Sequence, residues 1–325
     1  MFFEVIKSGT HIDFVRYSKA AALVSGALIL AGFAAIPIQG FRLGIDFAGG
    51  TELQVHFTGE EPVGEAAIRS AIGGVVEDAS VVRFGGESRE FLIKFRASQG
   101  EKGEIVDRVM SSLRDKVGEA REDRVEFVGP KVGEELRGDG LRALGLAGLM
   151  VLVYIAFRFT PRFAPGAIVA VLHDVLVTGG LFVVMGMEFD LRVLAALLAI
   201  VGYSLNDTII IYDRIRENME IRTKQDLPEV INRSINQTLS RTILTSGTTM
   251  VAVLALLFLG GEVIRSFSIA MTIGIAVGTY SSIYIAAPIL MLLERRAGGA
   301  PASDKGKAGA SARPKAKPKR KKARA

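Results

Sequence analysis

Gly202-Tyr203-Ser204-Leu205-Asn206-Asp207-Thr208 sits inside an apolar run spanning residues 193–212. At about 1.5 Å per residue that run crosses a hydrocarbon core of about 30 Å. Asp207 lies about two thirds of the way along it, too far from either end to reach headgroups by leaning. A carboxylate at that depth is disfavoured by about 2.5–3.5 kcal/mol, so it is expected to face a partner or a water-filled cavity. Helical spacing groups Tyr203, Ser204 and Asn206 into a polar side beside Asp207. Leu197, Leu198, Ile200, Val201 and Ile209 to Ile211 are expected to face elsewhere.

The totals agree with a membrane protein carrying one soluble insertion. Of 325 residues 49% are hydrophobic, and the mean hydropathy is +0.34, too apolar for an ordinary soluble chain. The absence of Cys excludes disulfides, thiolate nucleophiles and Cys-ligated metals. His11, His56 and His173 are too far apart in sequence to suggest a metal site. The net charge of +6 is concentrated at one end: residues 294–325 hold 12 Lys/Arg against 2 acids, which leaves a mildly acidic body at −4.

Along the chain, residues 1–19 mix Ile12, Phe14 and Val15 with Lys7, Arg16 and Lys19, as expected of a segment at the membrane surface. The run 20–38 is longer than a signal-peptide core and lacks a small-x-small cleavage site, so it is read as an uncleaved first span. Residues 39–140 turn soluble. Alternation predicts strands at 51–57, 80–84, 90–95 and 124–128, and helical spacing predicts helices at 63–72 and 101–117, with Gly85-Gly86 as a hairpin turn. The order β-α-β-β-α-β is that of a ferredoxin-like α+β domain. Five further apolar runs, near 141–157, 165–187, 191–212, 242–259 and 267–293, complete a bundle of six transmembrane helices at 20–38 and 141–293. The Arg/Lys-rich loops fall on the side of both termini, which places the ends in the cytoplasm and the 39–140 domain outside. The tail 294–325 reads as basic and disordered, with anionic lipid or the ribosome as candidate electrostatic contacts.

Asp207 is the sharpest candidate site, as a protonatable group in a transmembrane relay or as a structural carboxylate bonded to a neighbouring helix. Arg241 is a candidate partner at the mouth of the fifth span. Thr242, Thr245, Ser246 and Thr249 follow it at i, i+3, i+4, i+7 spacing and form a polar stripe. If the two charges come together and apart, protonation and conformation are coupled, and about 2.3 kcal/mol per charge per 100 mV is available to bias a bistable domain. His173-Asp174, about eight residues into the third span, either extends the proton path or forms a mutually satisfied polar patch. Asp213 and Arg214 end the fourth span and can reach the interface. Gly44-Ile45-Asp46-Phe47-Ala48-Gly49-Gly50 has no following Lys and leads into a strand, so it is read as a tight turn rather than a phosphate cradle. Val128-Gly129-Pro130-Lys131-Val132-Gly133 is its counterpart where the chain returns. Gly274 and Gly278, with Thr279 and Ser282, are expected to let another helix approach the last span closely.

The sequence resembles the SecD/SecF family of protein-export membrane proteins, within the resistance-nodulation-division (RND) superfamily. The resemblance spans residues 12–296 and is carried by Gly44 to Gly50, Val128-Gly129-Pro130, Gly202 to Thr208, Asp213-Arg214-Ile215-Arg216-Glu217-Asn218, and Ile235-Asn236-Gln237-Thr238-Leu239-Ser240-Arg241-Thr242. It implies an inner-membrane, multi-pass subunit of the Sec pathway. The implied partners are SecD, the SecYEG channel, a translocating polypeptide and, as a further candidate, YajC. It implies that the proton motive force drives movement of outer domains, with no enzymatic turnover and no cofactor beyond protons as the coupling ion. It also implies that Asp207 and Arg241 matter for proton conduction. Some relatives fuse two halves; this sequence carries one, so the function is expected to need a second polypeptide.

Two other functions bear on the same residues. An RND-type exporter of small molecules or ions is the alternative, although one small outer domain leaves little room for a substrate porter. An intramembrane aspartyl protease needs two carboxylates sharing a proton. Asp207 and Asp213 are about 240° apart around one helix, at about 100° per residue, which excludes it.

Overall fold

The computed structural model describes residues 10–59, 62–76, 79–83, 89–96, 102–158, 162–221 and 226–296. The expected hairpin glycines at 85–86 and the basic tail beyond 296 lie outside these. Helix α1 (Phe14–Gln39) leads through α2 (Ile45–Ala48) into β1 (Gly50–Phe57), α3 (Glu65–Ile72), β2 (Ser80–Arg83), β3 (Glu90–Phe95), α4 (Lys102–Lys116) and β4 (Ala120–Val128). Helices α5 (Pro130–Arg158), α6 (Ala164–Val184), α7 (Leu191–Ile221), α8 (Leu227–Leu259) and α9 (Glu262–Ser281) follow; a π-helical turn, Ser282–Ala286, joins α9 to α10 (Ala287–Arg296). Among the described residues six helical segments are long and apolar enough to cross a membrane, with 262–296 counting as one.

Four strands form one antiparallel sheet in the order β2-β3-β1-β4. Alternation along β1 buries Leu53, Val55 and Phe57 under Ile68 and Ile72 of α3 and Val109 and Leu113 of α4. Each such side chain contributes about 1.5–3 kcal/mol by leaving water, which is why two amphipathic helices and a short sheet suffice as a module. The opposite face is polar. Glu52 stands between its cross-strand neighbours Lys94 and Glu126, and Lys94 Nζ reaches out of the sheet to Glu188 Oε2 at 2.9 Å, in the turn between α6 and α7.

Several boundaries differ from those expected from hydropathy. The first helix starts at Phe14, inside the segment expected to lie on the surface, because Asp13 caps it through Arg16 N (3.2 Å). The second spanning helix begins at Pro130, not near 141, and the sheet module therefore ends at Val128. Proline at the first helical position lacks only an N–H that would be unpaired there anyway. Helix α7 runs on to Ile221 and α8 starts at Leu227, so both extend well beyond the apolar runs at 191–212 and 242–259. The segment expected as a turn at 44–50 contains the one-turn helix α2. Its exit, Gly49, has φ +75°, and a Cβ there would stand 2.8 Å from Pro130 Cα. The two glycine-containing segments, 44–50 and 128–130, thus lie against each other, and only glycine fits at their contact.

Polar contacts close the end of the bundle far from the sheet. Asn236 Nδ2 donates to Ile12 O (2.8 Å), and its Oδ1 accepts from Ile12 N (2.9 Å). Arg158 pairs with Asp213 at 2.5 Å and Arg162 with Glu294 at 3.4 Å.

Burial pushes the Glu52 carboxyl above its ordinary 4.5, outweighing the opposing pull of Lys94. A raised folded-state pKa means the native state holds the extra proton. The associated stability is full below the unfolded value and is lost as pH rises through the folded one. Glu52→Gln is therefore expected to flatten the fall in melting temperature as pH rises above about 4.5, read by thermal unfolding of the detergent-solubilised protein across pH.

Candidate functional site

Helices α7 and α9 approach each other through glycine. A Cβ on Gly274 would meet Ile200 Cδ1 at 2.1 Å, and one on Gly278 would meet Ser204 Cβ at 2.9 Å. These contacts, one turn apart on each helix, set Ile200, Ser204, Asp207 and Ile211 on a single buried stripe. Ile200 and Val201 consequently share the buried side of α7 with Asp207 rather than facing away. Asn206 is exposed, and among the described residues no side-chain hydrogen bond reaches it. It does not belong to the polar cluster expected around Asp207.

Asp207 is 2% exposed. Its Oδ2 accepts a hydrogen bond from Ser246 Oγ (3.1 Å) on α8, and Ser246 Oγ accepts from Thr279 Oγ1 (2.8 Å) on α9. The stripe expected on the fifth span does face inward, with Thr242 and Ser246 buried and Thr245 and Thr249 half-buried. Thr245 bonds its own helix at Arg241 O (3.0 Å), while Tyr203 Oη donates to Thr245 O (3.1 Å) and pins α7 to α8. Arg241 is exposed and, among the described residues, makes no ion pair with Asp207. The expected Asp207–Arg241 pair is therefore not formed as a direct contact in this arrangement; the hydrogen bond the carboxylate accepts comes from Ser246.

His173 and Asp174 form a second, separate cluster. Asp174 is fully buried; its Oδ2 accepts from Ser281 Oγ (2.8 Å) and from Ser204 Oγ, and its Oδ1 faces His173 Nδ1 at 2.9 Å. His173 Nε2 lies 2.9 Å from Ser25 Oγ, which is 3.1 Å from Tyr280 Oη, and Tyr280 Oη donates to Ala21 O (2.6 Å). With the tyrosine proton committed to Ala21, satisfying the remaining bonds requires Ser25 to donate to Tyr280 and Nε2–H to donate to Ser25. One proton then lies between Nδ1 and Oδ1, so the His–Asp pair adds no net charge to the apolar interior. Although Ser25, His173 and Asp174 are connected in the order of a hydrolytic triad, Ser25 is 3% exposed and packed against Tyr280. Such an enclosed hydroxyl serves to join α1, α6 and α9.

Helix α9 unites the clusters. Thr279, Tyr280 and Ser281 are consecutive, and they bond α8, α1 and α6 respectively. The π-helical turn follows at once, and its Ala286 O accepts from Tyr212 Oη of α7 (2.9 Å). Wide turns of this kind are frequent where helices carry function. Ser25, Tyr280 and Ser281 were not singled out in the sequence; the signal available was Thr279-Tyr280-Ser281-Ser282, a polar run within an otherwise apolar span.

These features define a six-span membrane protein with a sheet module between its first two spans and two acids, Asp174 and Asp207, buried at the centre of its bundle. A profile described as "Protein export membrane protein SecD/SecF, C-terminal" matches residues 108–296, and one described as "SecD/SecF GG Motif" matches residues 34–60. The chain belongs to the SecD/SecF family. It is 41% identical over 294 residues to the protein translocase subunit SecF of Vibrio alginolyticus, covering 90% of this chain and 92% of that one. It is 44% identical over 296 residues to the SecF of Magnetococcus marinus, covering 90% and 94%. The crystal structure of SecDF, a translocon-associated membrane protein from Thermus thermophilus, superposes with a TM-score of 0.77 at 36% identity. It is matched over 91% of this chain, which spans 40% of that longer one. A SecDF structure in a super-membrane-facing form gives 0.68 at the same identity and coverage.

Filling the α7–α9 contact tests this packing. Gly278→Val is expected to destabilise the detergent-solubilised protein by about 1–3 kcal/mol through overpacking. Gly202→Ala, at a position with nothing within 4 Å, is expected to be neutral or slightly stabilising. Melting temperatures of the two variants decide it.

Proposed function

We propose that this chain is the SecF-type subunit of a Sec protein translocase and uses the proton motive force to promote polypeptide export. The observation that carries the reading is an asymmetry between Asp174 and Asp207, the two acids buried at the centre of the bundle. Asp174 meets three donors and is close to saturated, whereas Asp207 meets one, from Ser246. A carboxylate offers about four acceptor positions, so Asp207 retains the capacity to change partners and Asp174 does not. Asp207 is then the site that takes up and releases the proton, with Ser246 and Thr279 as the hydroxyl path. His173-Asp174 is the fixed polar joint. Arg241 becomes a partner of Asp207 in another state of the cycle.

On this reading the chain lies in the bacterial inner membrane with both termini cytoplasmic and the sheet module outside. That module is ferredoxin-like, which its strand order β2-β3-β1-β4 supports. SecD is the partner, in keeping with the SecDF structures, in which a longer chain includes a region like this one. Asn206 and Arg241, polar and exposed on apolar spans, mark the face that SecD covers, since a lipid-facing amide has no partner there. The SecYEG channel receives the effect. No bond is made or broken in the polypeptide, and protons alone are the coupling ion.

Asp207→Asn is nearly isosteric and removes the titration. In vesicles containing the partner subunit and the channel, it is expected to abolish the part of export that depends on the proton motive force. The same vesicles should show normal insertion and copurification of the partner. Undiminished proton-dependent export by this variant would leave Asp207 a structural carboxylate.

A further inference from the structure

The Gly-rich segment after α1 does more than turn the chain. Asp46, in α2, accepts a hydrogen bond at Oδ2 from Leu191 N (3.0 Å), the first N–H of α7. Asp190 caps the same helix end through Val193 N (2.8 Å), so the two carboxylates take different N–H groups of one helix terminus. Around them Gly44 N donates to Phe189 O (2.7 Å) and Phe189 N donates to Arg42 O (2.8 Å), a short parallel bridge between the exit of α1 and the α6–α7 turn. Gly49 and Gly50 then lead without a spacer into β1, whose first residue pairs with Val128 at the end of β4. Both connections between the sheet and the bundle therefore converge on α2, and α2 is tied to α7.

The other side of the same junction is open. A cavity of about 690 Å³ lies between the β2–β3 side of the sheet and the exit of α1, bounded by α2 at Ile45 and Ala48 and lined by Arg42, Lys94, Arg96 and Glu188 among others. Among the described residues one ion pair, Lys94–Glu188, links the sheet to the α6–α7 turn beside it. A body held firmly at one edge and loosely at the other pivots about the firm edge.

We propose that Asp46 is the positioning residue that clasps the sheet module to the N-terminus of α7, the helix bearing Asp207 about 24 Å away by helical rise. Motion of α7 moves the module through this clasp. The clasp stays closed during the motion, while Lys94–Glu188 is the contact that opens. The direction of signalling rests on the reading of Asp207 given above; the tie itself does not.

The chain has no cysteine, so two introduced thiols can carry spin labels without background. Labels at Glu122→Cys on β4 and Val263→Cys at the start of α9, in the full chain reconstituted with its partner subunit, report the module-to-bundle distance. Asp46→Ala is expected to broaden that distance distribution and to lose proton-driven export. Asp46→Asn keeps an acceptor oxygen and is expected to retain the parental distribution. Leu191→Pro removes the donor from the other side while leaving the helix intact, because proline is favoured at a first helical position; it is expected to behave like Asp46→Ala even if the alanine variant accumulates poorly. Parental distances in Leu191→Pro, or equal loosening in Asp46→Asn and Asp46→Ala, would overturn the clasp. Comparison with Asp207→Asn separates the two readings. If that variant exports normally while Asp46→Ala still loosens the module, the proton reading falls and the clasp stands. If Asp207→Asn is inactive while Asp46→Ala and Leu191→Pro keep the parental distances, the reverse holds.

Discussion

Carboxylates inside an apolar bundle must be met by donors, and in this protein those donors are almost all hydroxyls from neighbouring spans. An unmatched buried polar group costs about 1–3 kcal/mol, so each of these contacts fixes where a helix must lie. Ser204 and Ser281 converge on Asp174 from two helices, and Ser246 brings a third to Asp207. Such convergence requires backbones closer than larger side chains permit, which is why Gly274 and Gly278 face α7. The packing of the bundle's centre thus follows from the need to solvate two acids with protein atoms.

The same requirement divides rigid from adaptable parts. The His173 cluster runs from Ala21 to Asp174 with every hydroxyl engaged, and it binds α1, α6, α7 and α9 into one block. Helix α8 is tied along its first half, by Asn232 and Asn236 to the start of α1 and by Ser234 and Gln237 to Asn218 of α7, whereas beside Asp207 it meets α7 and α9 at Ser246 and through Tyr203. A helix attached in this way can re-pair locally at Ser246 while its first half stays anchored. Stability and adaptability in one bundle then come from how many lone pairs each acid has filled.

Much of the architecture is legible in the sequence because two periodicities are plain. Leu53, Val55 and Phe57 alternate, and Ile105, Val109 and Leu113 recur at helical spacing, so strands and helices of the sheet module fall where those patterns put them. Hydropathy locates the spans but not their ends. Proline 130 starts α5 within a stretch that reads as a turn, and the charged residues after Tyr212 extend α7 with support such as Arg214–Glu217 at 2.8 Å. Asp207, Ser246, His173 and Asp174 stand out as polar groups at depth, yet their grouping does not. Asn206 is one residue from Asp207, and about 100° of helical rotation carries it off the buried stripe onto the exposed flank of α7. Nothing in residue spacing joins Asp46 to Leu191, or Ser25 to Tyr280, since those contacts depend on where separate helices cross.

The π-helical turn at Ser282–Ala286 has a consequence for how the last span is read along its length. Upstream, Gly274, Gly278 and Ser281 or Ser282 follow the inward face; downstream, that face passes to Ala286, Leu290 and Glu294. The five-residue step from Ser281 to Ala286 resets the phase, as though one residue had been inserted into an ordinary helix. The span therefore works as two half-helices with separate frames, one addressing the acids and the other locking Glu294 to Arg162 at the far rim.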